Sequence, residues 1–447
     1  MNSNFRVIYF VGLTFFIYFI LSVITRFIGF QWKPFENVNL ITDLIKEAPD
    51  LSDSVKKTSN QIKTVKLPES NFELYKTGRL IIDFSTDTSQ PSIQKFLSKL
   101  TDLKKNRKRK IRIAYIGDSM IEGDLISQTL RTLFQQYFGG NGVGFIPITS
   151  QVSKFRQTVI HQYSSGWKDE SFKSGNNDKL YLSGHMYRSS KDWVRITDQT
   201  IKDSSSVLEK SLILGHTEGE INILVNESPL IVNGPGLVNR IPLTIDRNKS
   251  IKVSFSQSNI PIYGITVESS SGVFVDNFSF RGITGLEFGG LDSTFLRAID
   301  ENNPYDLIIF QYGVNLLFRP ADKNFNWYAK SMLPVIRKLK NCFNNSNLLI
   351  VSVADRAFRY NGEYRSAVGI DSLIKVQATM AYETGCAFYN QFASMGGANS
   401  IVEWANSKPS LANKDYIHPN HRGAELLGTL LFQSIINEYE QYLKIIK

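Results

Sequence analysis

The chain has 447 residues, 42% of them hydrophobic and 12% aromatic, enough for a sizeable core in two domains or in one domain with a large insertion. Its formal net charge of +10 is moderate for that length, and no zinc-finger spacing, RNP-like motif or heptad array accompanies it, so the sequence points to no nucleic-acid partner. With two cysteines, Cys342 and Cys386, neither a metal cluster nor a disulfide framework is available. One bridge between them is the most they allow; each lies beside an apolar strand-like run, which favours two buried thiols.

In chain order, residues 7–25 come first: no charge, many Phe, Ile, Leu and Tyr, and Arg6 and Arg26 at the borders. A helix of that length crosses a hydrocarbon core of about 30 Å. No small-residue cleavage site follows, so residues 1–30 are expected to form an uncleaved membrane anchor, not a signal peptide. Basic residues flank both ends and leave the orientation open. Residues 31–90 are polar and weakly patterned; they read as a stalk with helical stretches over 40–47 and 54–65.

An α/β domain is expected from residue 91. Ile93, Phe96, Leu97, Leu100 and Leu103 are spaced for one face of a helix over 92–103. The basic run 104–112 reads as a solvated approach to a strand over 111–116. A helix over 122–137 follows and leaves through the glycine-rich segment 139–144, which lacks the Lys-Ser/Thr of a phosphate loop. From 149 to 275 the pattern changes to short alternating runs (211–214, 221–225, 251–255, 264–267) between turn residues, as in a β-sandwich or jelly roll. Strands at 306–311, 348–353 and 387–389 then alternate with helices at 325–339, 370–383 and 424–442. The expectation is a parallel sheet built from 91–148 and 276–447, interrupted by a β-rich module, with active residues at the C-terminal ends of its strands.

Gly117-Asp118-Ser119 follows the first of those strands, which puts Ser119 on a strand-to-helix turn. Asp415 and His418 stand three residues apart just before the last helix. A serine hydroxyl is a poor nucleophile at neutral pH unless a base takes its proton, and the base needs an orienting partner; Ser119, His418 and Asp415 supply the three groups. Two further blocks, Arg281 to Gly285 and Gln311 to Asn315, end in residues suited to an oxyanion site. The donors would be the backbone N–H groups of Ser119 and Gly285 and the side-chain amide of Asn315, each worth roughly 3 kcal/mol when deleted. His161, His185 and His216 show no metal-ligand spacing. His421 lacks a carboxylate three residues earlier and is the weaker base. Tyr163, Trp167, Tyr181, Tyr187 and Trp193 fit sugar stacking and core packing equally well.

The four blocks, in order, resemble the SGNH (GDSL-type) hydrolase superfamily over roughly residues 92–148 and 276–442, with Ser119, Gly285, Asn315 and His418 at the matching positions and Asp415 completing the triad. Residues 117–124 and 138–145 look like the envelope branch that includes peptidoglycan O-acetylesterases, whose members carry a β-rich, carbohydrate-binding-like module between the first two blocks. Two positions depart from that branch: Met120 stands where it often has His, and Leu316 where Asp is frequent. The resemblance implies a three-layer α/β/α fold and acetyl-ester chemistry on a glycan, without metal or cofactor. An envelope substrate would place the catalytic domain outside the cytoplasm, in a bacterial periplasm or at the cell surface. Two other functions use the same sequence features: a polysaccharide O-acetyltransferase fed by a membrane acetyl-transfer partner, and a glycan-binding protein with a vestigial triad.

Overall fold

The sheet that carries the site begins with a strand the sequence pattern did not reveal. The structure, a computed structural model, describes residue 13, residues 72–85 and residues 93–446 except 176, 177 and 204. The segment expected as a membrane anchor and most of the expected stalk therefore lie outside the described residues. Among the described residues, no helix is long and apolar enough to cross a membrane.

Six strands form the central sheet: β1 (Ile81–Asp83), β2 (Lys110–Gly117), β3 (Gly272–Ser279), β4 (Leu307–Gln311), β5 (Asn347–Val351) and β6 (Ala387–Tyr389). Their order across the sheet is β1-β6-β5-β4-β2-β3. All neighbours run parallel except β1, which pairs antiparallel with β6. β1 corrects the reading of 31–90 as stalk throughout, because Ile81, Ile82 and Phe84 are buried in the main core. The strands β2 and β4 are buried on both faces, which is why they read as continuous apolar runs. Helices Gln94–Asn106, Ser127–Phe138 and His421–Ile445 pack together as one layer, and Ser293–Asn302, Asn326–Cys342 and Ile370–Thr384 as another. The face predicted for the first helix is the buried one, with Phe96, Leu97, Leu100 and Leu103 all inside.

Between β2 and β3 the chain builds two antiparallel sheets. One has five strands, from Val159–Tyr163 to Ser250–Phe255, and the other six, with the strand Ser258–Glu268 within it. Val194, Ile196, Leu212, Leu214, Val253 and Ile265 meet between them as a second core. The outline of the module differs from the expected one at both ends. Strand Gly144–Pro147, read as the end of the first α/β segment, pairs with Ser258–Glu268. Residues 272–275, read as part of the module, already belong to β3 and pair with β2.

The expected helix over 122–137 is broken. A 3-10 turn, Glu122–Asp124, precedes the helix Ser127–Phe138, and Gly123, Asp124 and Ile126 all have positive φ. The Asp124 carboxylate explains the break. It accepts from both terminal nitrogens of Arg131 (2.7 and 2.8 Å), from Ser127 Oγ (2.7 Å) and from Thr158 Oγ1 (2.6 Å), with Arg156 at 3.2 Å. Burial alone would push this carboxyl up, but the two guanidinium groups hold it well below the usual carboxylate range.

The basic run 104–112 is not solvated throughout. Arg112 is buried and bonds Glu268 through Nε (2.9 Å) and Nη2 (2.7 Å); Lys110 and Arg240 reach the same carboxylate at 3.1 and 2.9 Å. That cluster joins the module to the start of β2. Cys342 and Cys386 are both free and buried.

Candidate active site

Ser119, Asn315 and the loop of Gly285 all follow C-terminal ends of parallel strands: β2, β4 and β3 in turn. The chain leaves β2 toward β3 on one side and leaves its other neighbour, β4, toward β5 on the other side, so the connections from these two adjacent strands go in opposite directions. In open α/β sheets such a switch point forms the crevice where ligands bind.

Ser119 Oγ lies 2.8 Å from His418 Nε2, and His418 Nδ1 lies 2.7 Å from Asp415 Oδ2. An ionised carboxylate only accepts, so Nδ1 carries the proton and Nε2 is left as the acceptor for the serine hydroxyl. The short spacing of the last block also has a local reason. Asp415 Oδ1 accepts the backbone N–H of Ile417 (2.9 Å) and of His418 (3.1 Å), so one oxygen shapes the turn while the other holds the ring. Burial pushes the Asp415 carboxyl up, but its bonds from the His418 side chain and the Ile417 and His418 backbone leave it below its ordinary value, ionised at neutral pH. Tyr416, within this turn, has φ +55° and stacks on Tyr364 with centroids 4.1 Å apart. Asn420 then caps the final helix through Arg422 N–H (3.0 Å) and Gly423 N–H (3.1 Å).

Gly285 has φ +89°, and a Cβ there would stand 2.8 Å from ring atoms of both Phe310 and Tyr312, so the backbone path needs glycine. Asn315 Nδ2 donates to Ile283 O (2.8 Å) and to Asp118 Oδ2 (3.3 Å). Its amide is therefore held against the Gly285 loop and against the residue preceding Ser119. Met120 and Leu316, the two departures from the resembled branch, are both buried apolar side chains.

His421 does not bond Ser119. It stacks on Phe155 of the inserted module, with centroids 4.8 Å apart, and its Nδ1 has no hydrogen-bond partner among the described residues. His161 bonds Ile148 O (3.0 Å), and burial lowers it to about 4. His185 bonds Asp169 (2.8 Å) and His216 bonds Pro235 O (3.1 Å). Among the described residues, no group of three or more His, Cys, Asp or Glu is placed to hold a metal ion. Of the aromatic residues with two open readings, Tyr181 and Tyr187 are buried in the core.

Sequence reasoning gave no role to Asp118, a buried carboxyl directly before Ser119 that accepts from Met120 N–H (3.0 Å) and from Asn315. It also missed Asn277, whose amide donates to Ile121 O and Ser127 Oγ, each at 2.7 Å, and so pins the loop after Ser119. No periodicity marks such residues; the partners of Asn277 are 150 or more positions away. A cleft of about 220 Å³ opens beside this loop, between it and the inserted module. A larger depression of about 1000 Å³ lies at the opposite, N-terminal ends of β2, β4 and β5, away from the relay.

No protein-family model matches the sequence, and no curated protein matches it. Solved structures do. The chain is similar to that of a peptidoglycan O-acetylesterase ("Peptidoglycan O-acetylesterase in action, 5 min"), with a TM-score of 0.69 and 19% identity, covering 81% of this chain and 99% of that one. Fainter likenesses, too slight to carry an argument, are to a family two carbohydrate esterase from Cellvibrio japonicus (TM-score 0.25, 8% identity, 64% and 99% covered) and to an acetylxylan esterase from Geobacillus stearothermophilus (TM-score 0.27, 17% identity, 37% and 73% covered). Sheet order, block positions and the first of these likenesses agree: the chain has the fold of the SGNH hydrolases.

Proposed function

We propose that this protein is a serine esterase that removes O-acetyl groups from an envelope or extracellular glycan. The observation that carries the reading is the unbroken relay from Ser119 Oγ through His418 to Asp415. His418 takes the Ser119 proton as the oxygen attacks the acetyl carbonyl, while Asp415 holds the imidazole tautomer and stabilises the imidazolium. The oxyanion forms against the N–H groups of Ser119 and Gly285 and the Asn315 amide, which turns from Asp118 toward it. The imidazolium returns its proton to the leaving sugar oxygen, and His418 then activates a water that releases acetate. Glycan as the substrate is supported by the likeness to a peptidoglycan O-acetylesterase and by the inserted sandwich beside the cleft. The uncharged segment 7–25 supports a membrane anchor that holds the enzyme at the outer face.

That same segment also favours one second reading, acetyl transfer to a sugar hydroxyl with a membrane protein as donor. Mass spectrometry of full-length protein with an O-acetylated glycan, and with an acetyl donor plus acceptor, separates the two. Free acetate at unchanged acceptor mass is the expected result, with Ser119→Ala about 10⁶-fold slower. An acceptor heavier by an acetyl group makes the protein a transferase. Undiminished activity in Ser119→Ala would remove the relay from the mechanism altogether.

A further inference from the structure

Tyr416 lies between Asp415 and His418 in the chain, so its backbone sets how their side chains meet. Its φ of +55° is a left-handed conformation that a bulky side chain adopts only at a cost. Such a conformation persists where the surrounding structure over-determines it. Part of the hold is internal to the turn. Asp415 Oδ1 accepts from the Ile417 and His418 N–H groups, Asn413 N–H donates to His418 O (2.9 Å), and Tyr416 N–H donates to Asn413 O (3.2 Å).

The rest comes from one hairpin, Ala357–Tyr360 paired with Glu363–Ser366, which follows the C-terminal end of β5. Ala357 N–H donates to Tyr416 O (3.0 Å), and the Tyr364 ring stacks on the Tyr416 ring at 28° between planes. The hairpin is itself fixed. Tyr360 Oη donates to Pro320 O (2.6 Å), Ser366 N–H to Asn399 Oδ1 (3.0 Å) and Asn399 N–H to Ser366 Oγ (2.6 Å). At its start Arg356 stacks over Phe358 (4.8 Å) and donates through Nη1 to Val314 O (2.8 Å), one residue before Asn315. The hairpin thus touches both the turn of His418 and the segment of Asn315. Tyr364 is 43% exposed and belongs to neither core, so its ring is not there to fill the interior. What the ring covers is Tyr416.

We propose that Tyr364 is a positioning residue: its ring clamps Tyr416 in the left-handed conformation that presents His418 to both Asp415 and Ser119. Without the ring the turn relaxes toward ordinary backbone angles, and the imidazole leaves Asp415 for part of the time. The proposal rests on the esterase reading, in which that relay does the chemistry.

The test reads full-length protein in two ways. On 4-nitrophenyl acetate, which carries no sugar, Tyr364→Ala is expected to lower kcat about tenfold, the upper end for a lost aromatic pair, at unchanged KM and circular dichroism. Tyr364→Phe keeps the wild-type kcat. ¹⁵N-histidine NMR at alkaline pH, where imidazole is neutral, reads the tautomer from the two ring nitrogens. His418, identified by the signals lost in His418→Gln, is expected to hold its proton on Nδ1 in the wild type and in Tyr364→Phe. In Tyr364→Ala it is expected to mix the two tautomers, as an imidazole released from its carboxylate does. A fixed Nδ1 proton in Tyr364→Ala, a mixture already in the wild type, or an undiminished kcat overturns the proposal. So does a defect confined to acetylated glycan, which would make Tyr364 a sugar contact. A wild type that releases no acetate sinks the esterase reading instead, and the tautomer still decides whether the ring holds His418.

Discussion

Asp118 shows how one residue can bear on both stability and the site. Burial pushes its carboxyl up to about 7, against the opposing pull of the Met120 N–H bond. The unfolded chain would release that proton near the ordinary carboxylate value, so the folded state holds one extra proton between about pH 4 and 7. Folding stability from this group is therefore full below that window and is lost as pH rises through it, by up to roughly 4 kcal/mol. In urea denaturation at several pH values, Asp118→Asn is expected to flatten this fall. Identical pH slopes in both proteins would show that Asp118 ionises normally. Gly285 tests the backbone instead. Gly285→Ala meets Phe310 and Tyr312, shifts the loop, and is expected to lower kcat on 4-nitrophenyl acetate about 10²-fold with the circular dichroism unchanged. Wild-type kcat would mean that this backbone does not face the reaction. That Ser119, His418 and Asp415 would meet was legible in sequence because a serine–imidazole–carboxylate chain of hydrogen bonds demands those residue types, and the types recur at separable motifs. Asp118 and Asn277 were not, since any polar residue in a strand end looks alike until its distant partner is known.

At the scale of elements, long periodic segments were the readable ones. The helix Gln94–Asn106 and the strands β2 and β4 gave themselves away by burial patterns that repeat over many residues. β1 escaped because three residues, Ile81–Asp83, are too few to show alternation. The break after Ser119 escaped for another reason: helix propensity favours continuing through 122–137, and a buried carboxylate overrules it. Removing that carboxylate leaves Arg131 and Arg156 without their counter-charge. Asp124→Ala is expected to destabilise the protein by about 3–5 kcal/mol in urea denaturation, the range for breaking a buried ion pair from one side. A loss below about 1 kcal/mol would mean that water replaces Asp124 and that the turn holds its shape unaided.

Over the whole molecule, the inserted sandwich does not hang from the α/β part as a separate bead. Tyr181, Met186, Ile213 and Tyr263 of the module belong to the main core, and Glu268 ties Lys110, Arg112 and Arg240 together across the junction. Burial would raise the Glu268 carboxyl, but Arg112, Arg240 and Lys110 hold it far below its usual range. Calorimetry should accordingly show one cooperative transition for the α/β part and sandwich together, and Glu268→Ala should lower its midpoint. Two resolved transitions would show that the shared core is weak. By itself the sequence determined the alternation of elements, the insertion and the meeting of Ser119, His418 and Asp415, because these rest on local periodicity and on residue types that such a hydrogen-bonded chain requires. Only the tertiary structure decided where the module begins, which charges pair and what faces the cleft. Those follow from burial in three dimensions, where a carboxylate without a cation, or an ammonium without an acid, is costly or reactive, and nothing local in the chain records which distant group will meet it.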